Sequence, residues 1–199
     1  MPRAAEVQQV RPDLFHWQAY DASVKTDLSC AACQTAHGLV FIDPIPLQKA
    51  AEAELLAAAP PRAILLTSGN HARAAADLRQ RFSIPIHAHA EAAAEFSFPV
   101  DHTVADGETV LDEFTVATLP GAAEGEIALH RGDVWHLGDA LIHAPPFGFV
   151  MLPDKYCADP RELRRALQKL LRFPFEILTF AHGLPIVTHA RQRLSQLLA

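Results

Sequence analysis

The chain has 199 residues, half of them apolar and a fifth charged, with 17 Lys and Arg against 23 Asp and Glu. This composition suits one globular core and excludes a disordered or fibrous chain. A net charge of −6 without a basic stripe argues against a nucleic-acid-binding protein, and no apolar run approaches the ~20 residues of a membrane helix.

The first residues, Met1-Pro2-Arg3-Ala4-Ala5-Glu6, lack the apolar segment of a secretory signal, so the expected location is cytoplasmic. Strand-like runs come first, at residues 14–20, 24–35 and 39–43. Cys30 and Cys33 form a CxxC pattern within the second run. Residues three apart on a strand face opposite sides of a sheet, so the two thiols are expected to pack rather than chelate one ion. A helix is expected from 47 to 58, stopped by Pro60-Pro61. A βαβ pattern follows: an apolar strand at 63–67, a helix at 71–82 and a strand at 85–89, with an alanine-rich helix near 90–96.

Strands are expected again at 114–119, 126–130 and 134–137. The clearest helix start lies at Asp159, with Pro160 in the first helical position and Glu162 completing a capping box. A strand at 176–180 leads to His182-Gly183, and a last helix is expected to be capped by Thr188. Two sheets in sequence, each with its own helices, point to a four-layer α/β/β/α sandwich formed by a single domain over residues 1–199.

Four landmarks in register carry a family resemblance. Gly38-Leu39-Val40-Phe41-Ile42-Asp43-Pro44 resembles an early strand ending in aspartate. Thr67-Ser68-Gly69-Asn70-His71-Ala72-Arg73 stands where a threonine and an HxHxDH motif would stand. Pro120-Gly121 with Gly125 resembles a PGHxxG loop, followed by Gly138-Asp139 at a strand end. Thr179-Phe180-Ala181-His182-Gly183 resembles a final histidine. Together they resemble the metallo-β-lactamase superfamily from about residue 14 onward, which implies the α/β/β/α fold and a two-ion hydrolytic centre.

Carried across by position, most of the metal ligands are missing. The first ion's histidines correspond to Ser68, Asn70 and Ala122. The second ion's ligands correspond to Ala72, Arg73 and His182, and Asp139 stands where the shared aspartate would be. Only Asp139 and His182 are therefore retained, and a hydroxyl, a carboxamide and a methyl are poor or useless zinc ligands. The expectation is a protein without a dinuclear centre and with no cofactor, in which the Arg73 guanidinium pairs with Asp139 in place of a metal. Ser68, Asn70, Arg73 and Asp139 are then expected to bind a small anionic or carboxylate-containing ligand near a helix N-terminus.

The rival reading is a metal-dependent hydrolase with a rebuilt single-ion site, holding zinc or another divalent metal. In it His71 joins Asp139 and His182 as catalytic candidates, with Glu124 or His143 nearby, acting on an ester, thioester or phosphoester. Against it, His71 is expected to start a helix and point to solvent. His87 and His89, two apart on a strand, are expected to be packing or surface residues. Residues 145–149 and the stretch to Tyr156 are apolar and aromatic, fitting either a cleft wall or a loop over the core. Whether the protein is an enzyme is left open by the sequence.

Overall fold

The structure, a computed structural model, describes residues 1–146 and 148–199; Phe147, inside the apolar stretch after Asp139, lies outside the described residues. Seven strands form the first sheet in chain order: β1 (Gln8–Arg11), β2 (Leu14–Asp21), β3 (Thr26–Thr35), β4 (Gly38–Ile42), β5 (Pro61–Leu66), β6 (Ile86–His89) and β7 (His102–Val104). The first four pair antiparallel through short turns. From β4 onward the pairing is parallel, because α1 (Lys49–Ala58), α2 (Ala75–Phe82) and α3 (Ala90–Ala93) carry the chain back between strands.

The second sheet is built from β8 (Thr109–Val110), β9 (Phe114–Thr118), β10 (Ile127–Arg131), β11 (Val134–Leu137) and, later, β14 (Ile177–Phe180), which lies parallel to β11. Between β11 and β14 come the hairpin of β12 (Leu141–Ala144) with β13 (Gly148–Met151) and the helix α4 (Pro160–Leu170); α5 (Ala190–Leu197) is the last element.

Strand alternation separates three apolar layers. Phe41, Ile64 and Ile86 face Leu55, Ala75 and Leu78 of α1 and α2. Val40, Leu65, Phe114, Val116, Leu129 and Ile177 meet between the sheets. Trp135, Leu137 and Leu178 face Leu163, Leu167 and Leu194 of α4 and α5. Each such fully buried side chain contributes ~1.5–3 kcal/mol relative to exposure, so the order of layers is set mainly by pattern. The result is the α/β/β/α sandwich expected. The CxxC cysteines follow the same alternation: Cys30 packs in the layer against the helices and Cys33 between the sheets. Burial pushes both thiols up, that of Cys33 to about 12, so neither is a reactive thiolate.

Two helix ends differ from expectation. Asp159 does cap α4, accepting from the amides of Arg161 (2.8 Å) and Glu162 (3.1 Å). The box is not closed by Glu162, because the Asp159 amide donates to the Gly121 carbonyl at 3.0 Å. That bond ties the helix to the loop after β9. At α5 the cap position is His189 rather than Thr188; its backbone is left-handed (φ 54°), and its amide donates to the Glu176 carboxylate at 3.0 Å. A tertiary partner supplies there what a local hydroxyl was expected to supply. Among the described residues, no helix is long and apolar enough to cross a membrane.

Candidate metal centre

Three strand ends converge at one edge of the sandwich. After β5 the chain passes Thr67 and makes a single 3-10 turn, Gly69–His71, whose entry is held by the Ser68 hydroxyl accepting from the Asn70 amide. After β11 comes Gly138-Asp139. After β14 come Ala181 and His182, and the parallel pairing of β11 with β14 brings Asp139 and His182 together. Gly138 is required by close approach. A Cβ there would sit 2.6 Å from Thr67 Oγ1 and 2.8 Å from Glu126 Oε1.

His71 is buried, 1% exposed, and points into this junction rather than to solvent. The short turn ends at His71, and α2 begins only at Ala75, so the ring is not carried outward on a regular helix. Its Nδ1 faces the Thr67–Asp43 pair, 3.0 Å from Thr67 Oγ1 and 3.0 Å from Asp43 Oδ2. Thr67 in turn donates to Asp43 from its amide (2.9 Å) and its hydroxyl (2.5 Å). On the other side, His71 Nε2 lies 3.3 Å from Asp139 Oδ1, and His182 Nε2 lies 3.1 Å from the same oxygen. His182 Nδ1 is 2.9 Å from the Asp27 carbonyl, to which it donates.

Both imidazoles therefore have one nitrogen anchored by an acceptor and the other turned toward Asp139. Outer partners of this kind fix the tautomer and orientation of metal-ligating histidines. The three ligand atoms all lie within 4.8 Å of one another. Zinc bonds of about 2.0–2.1 Å at tetrahedral angles place neighbouring donors about 3.3–3.5 Å apart, so the set fits a single ion. Asp139 and His182 keep 18% and 17% of their side-chain surface exposed, so one side of the set is open.

The electrostatics agree. Burial opposes charge on His71, but the Asp43 and Asp139 carboxylates together outweigh it and raise the imidazole to about 9. Burial likewise opposes charge on Asp139, yet His71 and His182 hold its carboxyl well below the usual range. Without a metal, an imidazolium bridges two carboxylates. Its stabilising effect is complete below the ordinary histidine value near 6.5 and is lost as pH rises through about 9. Glu126 adds to the trend, since burial and then the Asp139 charge raise its carboxyl to about 8. Unfolding free energies of the metal-free protein, from urea titrations, are therefore expected to fall between pH 6.5 and 9.5 by on the order of 2 kcal/mol. A flat profile over that range contradicts the bridge.

Arg73 does not pair with Asp139. Its guanidinium donates to the carbonyls of Ser29 (2.7 Å), Asp43 (3.2 Å) and Ala181 (3.1 Å), and among the described residues no Arg73–Asp139 ion pair occurs. A left-handed backbone at Arg73 (φ 35°) accompanies this placement. The cation beside Asp139 is His71, so the expected substitution of an arginine for a metal is corrected. The expected anion site is not assembled either. Ser68 is fully buried, Asn70 is exposed, Arg73 is engaged with carbonyls, and a Cβ on Gly69 would meet the Glu95 carboxylate at 2.5 Å.

The remaining candidates do not join the set, although the His143 amide donates to the His182 carbonyl at 3.1 Å. Glu124 is exposed on the loop after β9, and His143 donates from Nδ1 to the Leu184 carbonyl at 2.7 Å on the β12 hairpin. Phe149 packs beside His143 and Phe180. His87 is buried against the His102 ring, and His89 Nδ1 accepts from the Glu91 amide to cap α3. Sequence reasoning missed Glu126, a buried carboxyl whose Oε1 accepts from the Ala140 amide at 2.8 Å. Its only sequence signal was a charge at the start of an apolar strand.

The comparisons with known proteins bear on the fold and the family. The metallo-beta-lactamase superfamily model matches residues 7–199. The DIM-1 metallo-beta-lactamase structure is 13% identical, with a TM-score of 0.77 over 99% of this chain and 97% of that one. The metallo-beta-lactamase from Pontibacter korlensis is 17% identical, with a TM-score of 0.75 over 97% of this chain and 98% of that one. The FIM-1 enzyme from Pseudomonas aeruginosa, solved in a mono-zinc form, is 15% identical, with a TM-score of 0.75 over 99% and 96%. No curated protein matches. The chain belongs to the metallo-beta-lactamase superfamily.

Proposed function

We propose that this protein is a hydrolase with one divalent metal, held by His71, Asp139 and His182, and that the first of the superfamily's two ion sites is absent. The observation that carries this reading is the anchoring of both imidazoles, through Asp43 with Thr67 and through the Asp27 carbonyl, so that two Nε2 atoms and one carboxylate oxygen converge. The first-site positions support it as well. Ser68 and Ala122 are buried, and α3 packs on the nearby loop so closely that a Cβ on Gly125 would lie 2.3 Å from the Ala92 amide.

An ion in this set supplies Lewis acidity, polarising a carbonyl or phosphoryl oxygen and making water a better nucleophile. His71 and His182 orient their lone pairs, Asp139 contributes the negative charge, and Asp43 keeps the His71 proton on Nδ1. The open side by Asp139 and His182 leaves room for an ester, thioester or phosphoester. Without a second ion, efficient β-lactam opening is not expected.

Elemental analysis of protein dialysed against zinc or manganese is expected to give one ion per chain. Removing Asp139 or His182 as ligands (D139A, H182A) is expected to weaken binding by about 100-fold or more, and to abolish hydrolysis across an ester, thioester and phosphoester panel. Metal-free protein after dialysis, or two ions per chain, overturns the reading.

A further inference from the structure

β3 has ten residues and its neighbour β4 only five, which pair with residues 31–35 of β3. Past the end of β4, β3 therefore offers unpaired backbone groups on that edge. Residues 181–183, just after β14, take them up. The Ser29 amide donates to the Ala181 carbonyl at 2.8 Å. Two residues away, the Asp27 carbonyl accepts from His182 Nδ1 at 2.9 Å.

Ser29 adds a side-chain bond to this edge. It is fully buried, and its hydroxyl accepts from the Gly183 amide at 3.0 Å. Gly183 has φ 101°, a left-handed value that favours glycine, and turns the chain directly after His182. One residue thus holds the peptide before His182 by its carbonyl and the peptide after it by its amide. With both peptides fixed, the direction of the His182 Cα–Cβ bond is fixed, and the Asp27 carbonyl then sets the ring. Without the hydroxyl, the Gly183 N–H is left buried and unpaired. A glycine relieves that cost by rotating, because its backbone is the least restrained. Rotation of that peptide carries the His182 side chain with it.

We infer that Ser29 is a positioning residue for His182: its hydroxyl locks the peptide after the histidine and so aims His182 Nε2 at Asp139. The consequence for metal binding rests on the single-metal reading; the orientation of the ring does not.

The experiment compares Ser29→Ala, Ser29→Cys and Ser29→Thr with Leu55→Ala, a core variant under α1 that touches neither β3 residue 29 nor the 181–183 segment. Cysteine nearly keeps the volume but is a weak acceptor, and threonine keeps the hydroxyl. In the metal-free protein, imidazole nitrogen NMR spectra are expected to show His182 shifted or exchange-broadened with alanine and cysteine. Threonine is expected to restore the parent signals, and His71 to stay unchanged throughout. Zinc affinity, measured by chelator competition, is expected to fall about 30-fold with alanine and cysteine and to stay within about threefold with threonine. Leu55→Ala is expected to lower the urea midpoint while leaving zinc affinity and the His182 signals at parent values. A parent protein that takes up no zinc, with His182 still altered in the alanine and cysteine variants, removes the single-metal reading and supports the positioning role. Parent-like His182 signals in both of those variants, or zinc affinity weakened as much by Leu55→Ala as by Ser29→Cys, overturns it.

Discussion

Replacing His71 by alanine is expected to remove metal binding and to cost about 3–5 kcal/mol of stability, measured by urea unfolding at pH 6.5. The size follows from what remains. Asp43 is 2% exposed and Asp139 only partly exposed, and both lose the imidazolium between them. Removing one partner of a buried pair leaves an uncompensated charge, which is worse than never having had the pair. A double replacement that also turns Asp43 into asparagine is expected to recover part of the loss, since one buried charge then disappears. A His71→Ala protein as stable as the parent, or one that still takes up metal at the parent affinity, contradicts the bridge and the ligand assignment together.

Replacing Arg73 by methionine is expected to cost about 3–4 kcal/mol without removing any metal ligand. Its guanidinium is the shared donor for the carbonyls of Ser29 on β3, Asp43 after β4 and Ala181 after β14. It thus joins β3 to the ends of β4 and β14, across both sheets, next to His182 of the candidate metal set. Hydrogen bonds from a charged donor contribute ~1.5–3 kcal/mol each and are not additive when they share one group. At ~2–4 °C per kcal/mol, the midpoint of thermal unfolding is expected to drop by about 6–16 °C. Lysine, with a compact head in place of the planar fork, is expected to restore only part of it. Metal affinity in the folded variant should stay within about tenfold of the parent. A loss as large as that for His182→Ala would place Arg73 in the site after all.

The two replacements also separate two meanings of a cation in this fold. Arg73 acts on carbonyl oxygens and so acts on architecture. His71 acts on carboxylates, and a proton or a metal ion can occupy the same position on its Nε2 side. Proton and metal then compete, so metal uptake is expected to strengthen as pH rises toward 9.

Much of the fold was legible because apolar period and punctuation are local properties. The layers followed from alternation in β3, β4 and β5, and α4 from Asp159 and Pro160. Less legible were the short strands β1, β7, β8, β12 and β13, of two to four residues each, whose pairing partners rather than their own pattern make them strands. Helix ends failed where a distant group took the place of a local cap, as the Gly121 carbonyl did at Asp159 and the Glu176 carboxylate at His189.

For the site, the sequence determined an inventory: which ligand positions hold serine, asparagine or alanine, and that Asp139 and His182 stand at strand ends. Side-chain direction lay beyond it. A two-residue offset decides whether His71 or Arg73 meets Asp139, and that depends on a 3-10 turn at 69–71 and a left-handed residue at 73. Those backbone choices are enforced by partners far away in the chain, Asp43, Ser29 and Ala181, which only close when the two sheets pack. Chemistry at this edge was therefore written in residue types, and its geometry was decided by long-range hydrogen bonding.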